Sequence, residues 1–192
     1  VRRGLVAAAI LLAFAAIFGL SRHTTSSTTS TSPTTTASTV TTTTSPDTTC
    51  AGTDFTGAFN QGQGAAGTIY ASVTMTKTTS GSCTVKGSPI LTLQDNKGAV
   101  LPLNQVNVDS SGAPMQFQEA KANLPATKLT LLKGSTTKFS LAYSQVPTGS
   151  ATCESVVTMS VQFSASGTSV PVTPAYPLQP CNGGKVWVSP FY

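Results

Sequence analysis

Charge is what this chain has least of. Charged residues make up 9% of the 192, against roughly 25% in ordinary soluble domains. Arginine is confined to Arg2, Arg3 and Arg22. From Cys50 onward eight lysines stand against Asp54, Asp95, Asp109, Glu119 and Glu154, so the net charge there is 8 − 5 = +3. These lysines are scattered along the chain. Phosphate recognition favours arginine forks and clustered basic stripes. The formal charge of +5 therefore does not point to nucleic acid, and no nucleic-acid partner is expected.

Histidine is nearly missing as well. The single one, His23, precedes the folded region. A Ser-His-Asp hydrolase needs its imidazole base inside the fold. Zinc wants histidines or close cysteine pairs, and there is no C-x-x-C pair here. The acids after Cys50 sit singly at turns or strand ends, which deprives a glycosidase of its paired carboxylates. The chain is read as not an enzyme, with no catalytic, cofactor-binding or metal-ligating residue. N-x-S/T acceptors are absent too. After Cys50, apolar residues nowhere recur at helical spacing over three turns.

What is present falls into three parts. Residues 1–22 are a targeting segment rather than fold: Arg2 and Arg3, then a 17-residue apolar run from Gly4 to Leu20. That run is short beside the roughly 20 residues of a membrane span. Two fates fit it. Small residues at Ala13 and Ala15, or at Gly19 and Ser21, suit a signal peptidase. Left uncut, the run is a membrane anchor with Arg2 and Arg3 held inside. Residues 23–49 are a disordered stalk. Of the 26 residues from Thr24 to Thr49, 21 are Ser or Thr, a composition that cannot offset its own ordering entropy. Such tracts are also substrates for O-glycosylation. Residues 50–192 are the folded body.

Within the body, period-two alternation dominates. Thr53 to Phe59 is a first edge strand. Gly62-Gln63-Gly64-Ala65-Ala66-Gly67 spells G-x-G-x-x-G. The dinucleotide version needs a helix after it, whereas Ile69, Ala71, Val73 and Met75 alternate with polar residues. That is a half-buried strand, and the glycine run is read as a loop. The stretch from Gly81 to Gly98 reads as strand end, tight turn, buried strand, tight turn. Lys128 to Leu132 is a strand. Phe139, Leu141 and Tyr143 share one face of the next, and Val157, Met159, Val161 and Phe163 one face of another. Val186-Trp187-Val188 closes the series. Trp187 is expected in the core, with Phe191 and Tyr192 closing its edge; the competing reading is an exposed binding patch of these three. Many short strands separated by turn signals argue for an all-β, two-sheet antiparallel sandwich.

The four cysteines, Cys50, Cys83, Cys153 and Cys181, are even in number and widely spaced. Behind an export segment this is a disulfide framework. Of three connectivities, nearest-neighbour pairing is chosen: Cys50–Cys83 and Cys153–Cys181. Cys153 is taken to begin a strong strand. Each bridge closes a loop near 30 residues, on the order of 3–4 kcal/mol in the chain-entropy account.

These residues carry a resemblance. Cys83-Thr84-Val85-Lys86-Gly87-Ser88-Pro89 with Leu91, Leu93, Asp95 and Gly98 is one matching piece. Leu132-Lys133-Gly134 leading to Phe139–Tyr143 is another, followed by Cys153, Cys181 and Val186–Phe191. From Cys50 to Tyr192 the chain resembles a secreted domain family of unknown function common in actinobacteria. That family usually has an aromatic residue in place of Ser88 and a tryptophan in place of Tyr143. The resemblance implies an immunoglobulin-like sandwich, two disulfides and an envelope location, and it implies no catalytic residues.

The sequence thus points to a non-catalytic module, secreted or anchored at the cell envelope, that binds an unknown extracellular partner or plays a structural part. An alternative starts from Arg2-Arg3-Gly4 before Leu5, which resembles a prepilin-peptidase site. On that reading the chain is a pilin-like filament subunit, with an apolar N-terminal helix and a β-sandwich head.

Overall fold

The computed structural model describes residues 48–108 and 115–192. The leader, the stalk up to residue 47 and residues 109–114 lie outside the described residues. Thr48 and Thr49 run beside the third strand. Thr84 N–H donates to the Thr48 carbonyl at 2.8 Å, and Cys50 N–H to the Thr84 carbonyl at 2.9 Å.

The described chain is all-β, with two short 3-10 turns at Gly52–Asp54 and Ala120–Asn123. The strands are β1 (Phe55–Ala65), β2 (Thr68–Lys77), β3 (Cys83–Val85), β4 (Ile90–Gln94), β5 (Asn104–Asn107), β6 (Leu129–Leu131), β7 (Thr136–Ser144), β8 (Thr158–Gln162), β9 (Ser169–Val172) and β10 (Lys185–Val188). They form a five-stranded sheet in the order β1-β2-β7-β10-β5, a pair β3-β6, and a three-stranded sheet β4-β8-β9. One departure from the antiparallel expectation is the β10–β5 pair, which is parallel.

Alternation in the sequence becomes one apolar core shared by all three sheets. Val73 and Met75 of β2, Phe139, Leu141 and Tyr143 of β7, and Val186 and Val188 of β10 meet Val85, Leu131, Leu91, Leu93, Met159, Val161, Val170 and Val172. Each such side chain contributes roughly 1.5–3 kcal/mol on burial. Phe163 links the sheets, its ring 4.4 Å from that of Phe55 and stacked at 5.1 Å on Phe191. Val157 is only half-buried, and its neighbour Val156 takes the core position instead.

Two strand readings need correction. The glycine run is not a loop: β1 continues to Ala65, with a register shift between Asn60 and Gln63. The turn is two residues only, Ala66 (φ 49°) and Gly67 (φ 80°). Paired positive φ values are the mark of the tight hairpin turn that matches strand twist. Glycine is required at 62 by crowding, since a Cβ there would overlap the Tyr70 carbonyl oxygen. Cys153 does not begin a strand. It forms an isolated bridge with Cys181, five residues ahead of β8.

The bridges are Cys50–Cys83 and Cys153–Cys181, and no cysteine is free. The first is buried at both ends, whereas Cys153 is exposed and Cys181 buried. Together they favour an oxidising, extracellular-type environment. Among the described residues no helix is long and apolar enough to cross a membrane.

Candidate functional site

The outer face of the five-stranded sheet carries two rows set by register. Tyr70, Ala142 and Trp187 are direct cross-strand neighbours. One register step along, Asn60, Ser72 and Ser140 form a polar row. Ala142, being small, leaves room above the sheet between the two aromatic residues. That room is filled by Val108, Phe117 and Ala122, with Met115 and Tyr192 packed against them. This second apolar cluster corrects the expectation for Trp187. Val186 and Val188 point into the core, so Trp187 between them faces the other way. It is half-buried, with the Lys185 ammonium 4.8 Å above its ring. Phe191, by contrast, belongs to the main core. The structure therefore does not bring Trp187, Phe191 and Tyr192 together as one patch.

Asn123 fixes the segment that covers this face. Its Oδ1 accepts from Phe117 N–H at 2.7 Å, while its Nδ2 donates to the carbonyls of Phe117 (2.9 Å) and Glu119 (3.3 Å). Between that segment and the sheet lies a cleft of about 230 Å³, lined by Gly62, Gln63, Tyr70, Ala71, Ser72, Phe117, Gln118, Glu119 and Ser140. It is smaller than the roughly 300–1,000 Å³ of typical ligand pockets. The bulge that places Gly62 there is the part of the glycine run that matters to the site.

A short polar chain borders the cleft. The Ser140 hydroxyl and the Tyr192 phenol are 2.8 Å apart. Tyr192 is held in place by backbone pairing with Lys138, whose side chain reaches Glu119 at 3.7 Å. The Tyr192 phenol is pushed up to about 12, first by burial; its bond with Ser140 opposes the shift, and the nearby Glu119 adds to it. At pH 7 the phenol is therefore neutral. The arrangement offers neutral donors and acceptors, aromatic edges and one carboxylate.

Two of the other acids are occupied locally. Asp54 accepts from the Thr79 hydroxyl at 2.7 Å. Asp95 accepts from the Lys97 and Ala99 N–H groups, both at 2.8 Å, and closes its own turn. Glu154 lies beside the Cys153 bridge, and Asp109 is outside the described residues. Among the described residues, no group of three or more His, Cys, Asp or Glu side chains converges on a point. Lys77 is buried at 2% exposure, but its ammonium donates to Thr79 Oγ1 at 2.7 Å and to the Thr79 carbonyl at 3.2 Å. Those bonds make it a structural lysine.

Residues 50–192 match the family described as Domain of unknown function (DUF4232). The chain belongs to this family. No curated protein and no solved structure matches it. The match to DUF4232 covers the whole described body from Cys50 onward, both bridges and the cleft included.

Proposed function

We propose that this chain is a non-catalytic module, exported to the cell envelope or beyond it, that binds a partner through the cleft on its outer sheet face. Its body is an immunoglobulin-like two-sheet sandwich: the five-stranded sheet is one layer, and β3-β6 with β4-β8-β9 the other. Residues 1–22 serve as signal or anchor, and the Ser/Thr-rich residues 23–47 accept O-glycans. The observation that carries the binding reading is the composition of the cleft. Gln63, Tyr70, Ser72, Gln118 and Ser140 present neutral polar groups around a small space, with Glu119 the one carboxylate in its lining. Such a lining suits one hydroxylated group of an envelope polymer better than a charged or drug-sized ligand.

The test is co-sedimentation of the full chain with insoluble envelope material. Gln63 and Gln118 are both exposed, so the double variant Gln63→Ala/Gln118→Ala keeps the fold. The reading expects wild type in the pellet and the double variant in the supernatant. Equal pelleting of the two, or recovery of the native protein from cytosol, would overturn it.

A further inference from the structure

We infer that Asn182–Gly183 is a covalent modification site, where the chain deamidates and rearranges its own backbone, and that the bonds tying the Asn182 side chain to the 146–148 loop hold the reaction back. The inference is independent of the cleft. Asn60, Asn96, Asn104, Asn107 and Asn123 are followed by Gln, Lys, Gln, Val and Leu, and no aspartate is followed by glycine. Only Asn182 precedes a glycine. The missing side chain matters because the reaction brings the next backbone nitrogen onto the side-chain carbon, and glycine permits such close approach. The Gly183 nitrogen attacks Asn182 Cγ. The Cγ–Nδ2 bond breaks, and ammonia leaves with the Gly183 proton. A five-membered succinimide remains, and water opens it at either carbonyl to aspartate or isoaspartate. Water is the only co-reactant.

The fold supplies both the reactive pair and its restraint. Gly183 is exposed, and a Cβ there would meet nothing within 4 Å. Among the described residues its N–H donates to no backbone carbonyl, so the nucleophile has no such bond to break first. The Asn182 amide, by contrast, is tied down. Its Oδ1 accepts from the Thr148 N–H at 2.9 Å and from the Thr148 hydroxyl at 2.8 Å, and its Nδ2 donates to the Val146 carbonyl at 3.4 Å. These bonds fix the side chain on the loop, whereas ring closure draws it to the main chain. The backbone is restrained too. φ is 60° at Asn182, 73° at Gly183 and 68° at Gly184, a left-handed run that asparagine and glycine tolerate. Cys181 anchors its start, through the bridge to Cys153 and through its N–H to the Ser144 carbonyl at 2.9 Å. Rearrangement undoes the clamp. Either acid lacks the donor to Val146 and adds a negative charge. Isoaspartate also lengthens the main chain between Cys181 and β10, and so frees the loop after β7 from the turn before β10.

The test incubates the full chain in mildly alkaline buffer and follows every asparagine by peptide mass and isoaspartate labelling. Native wild type is compared with Thr148→Ala and with wild type reduced and unfolded in urea. Thr148 is exposed, so its variant keeps the fold while Asn182 loses one bond. Asn182 should convert ahead of every other asparagine, slowly in native wild type, several-fold faster in Thr148→Ala and fastest in the unfolded chain. Earlier conversion at another asparagine, or a Thr148→Ala rate equal to wild type, overturns the proposal. Opening the Cys153–Cys181 bridge alone gives a second reading. Asn182 should then convert faster in the folded body, and an unchanged rate contradicts the restraint.

Discussion

The Gln105 amide is a clamp between sheets, and its removal has a calculable effect. Gln105 sits on β5, at the edge of the five-stranded sheet, yet its side chain serves β4 of the three-stranded sheet. Its Oε1 accepts from Leu91 N–H at 3.0 Å, and its Nε2 donates to the Pro89 carbonyl at 2.6 Å. Leu91 and Pro89 are both buried, so water replaces these bonds poorly. Each is worth about 1–1.5 kcal/mol net, and Gln105→Ala should cost about 2–3 kcal/mol. For a body of this size that lowers Tm by roughly 5–10 °C. Urea unfolding should show a lower midpoint at unchanged slope, since the same surface is exposed. Gln105→Glu sharpens the test. Ionised, it still accepts from Leu91 but sets an oxygen against the Pro89 carbonyl, so at neutral pH it should be no better than alanine. Protonated below about pH 4, it donates to Pro89 and should recover much of the loss. An alanine variant within about 0.5 kcal/mol of wild type, the usual spread of neutral surface changes, or a glutamate variant with no acid recovery, would refute the clamp.

Three further outcomes follow from the geometry. Ala66 occupies a left-handed position at φ 49° that asparagine tolerates better, so Ala66→Asn should raise stability by about 0.5–1 kcal/mol in the same urea assay. The phenols of Tyr143 and Tyr192 are both pushed up to about 12, chiefly by burial; Tyr176 adds to the shift at Tyr143 and a backbone bond at Gln179 opposes it. Unfolded tyrosine ionises near 10, so the stability these groups contribute is fully present below about pH 10 and lost as pH rises toward 12. Urea midpoints should therefore fall across that window, by about 1–2 kcal/mol from Tyr143 and less from the half-exposed Tyr192, and the fall should shrink in Tyr143→Phe. Cys153 is exposed while Cys50 and Cys83 are buried, and thiol exchange needs access. Mild reductant under native conditions should open Cys153–Cys181 first, leaving Cys50–Cys83 intact by alkylation and peptide mass.

How far the sequence led depends on whether a residue's role is local. β2 and β7 were legible because Val73, Met75, Phe139, Leu141 and Tyr143 alternate with polar neighbours, and one half-buried sheet face produces that pattern. The bridges were legible because nearest-neighbour pairing held. The extension of β1 through Gly62–Ala65 was not, because glycine is scarce in strands and a bulge is defined by the partner strand. Trp187 misled because a large aromatic between two valines suggests a strand buried on both sides; its cover comes from Met115–Asn123, a segment without period. Gln105 gave no signal at all. Its partners lie 14 and 16 residues back in sequence, and one glutamine in a strand looks like any other. The cleft was hidden for the same reason, being made by register across three strands plus a covering segment.

All of this depends on a β body stapled twice outside the reducing cytosol. The most direct measurement is non-reducing peptide mapping by mass spectrometry of the native protein, alkylated at harvest. The account predicts Cys50 joined to Cys83, Cys153 joined to Cys181, and no alkylated cysteine. Four alkylated thiols, or Cys50 joined to Cys153 or Cys181, would contradict it.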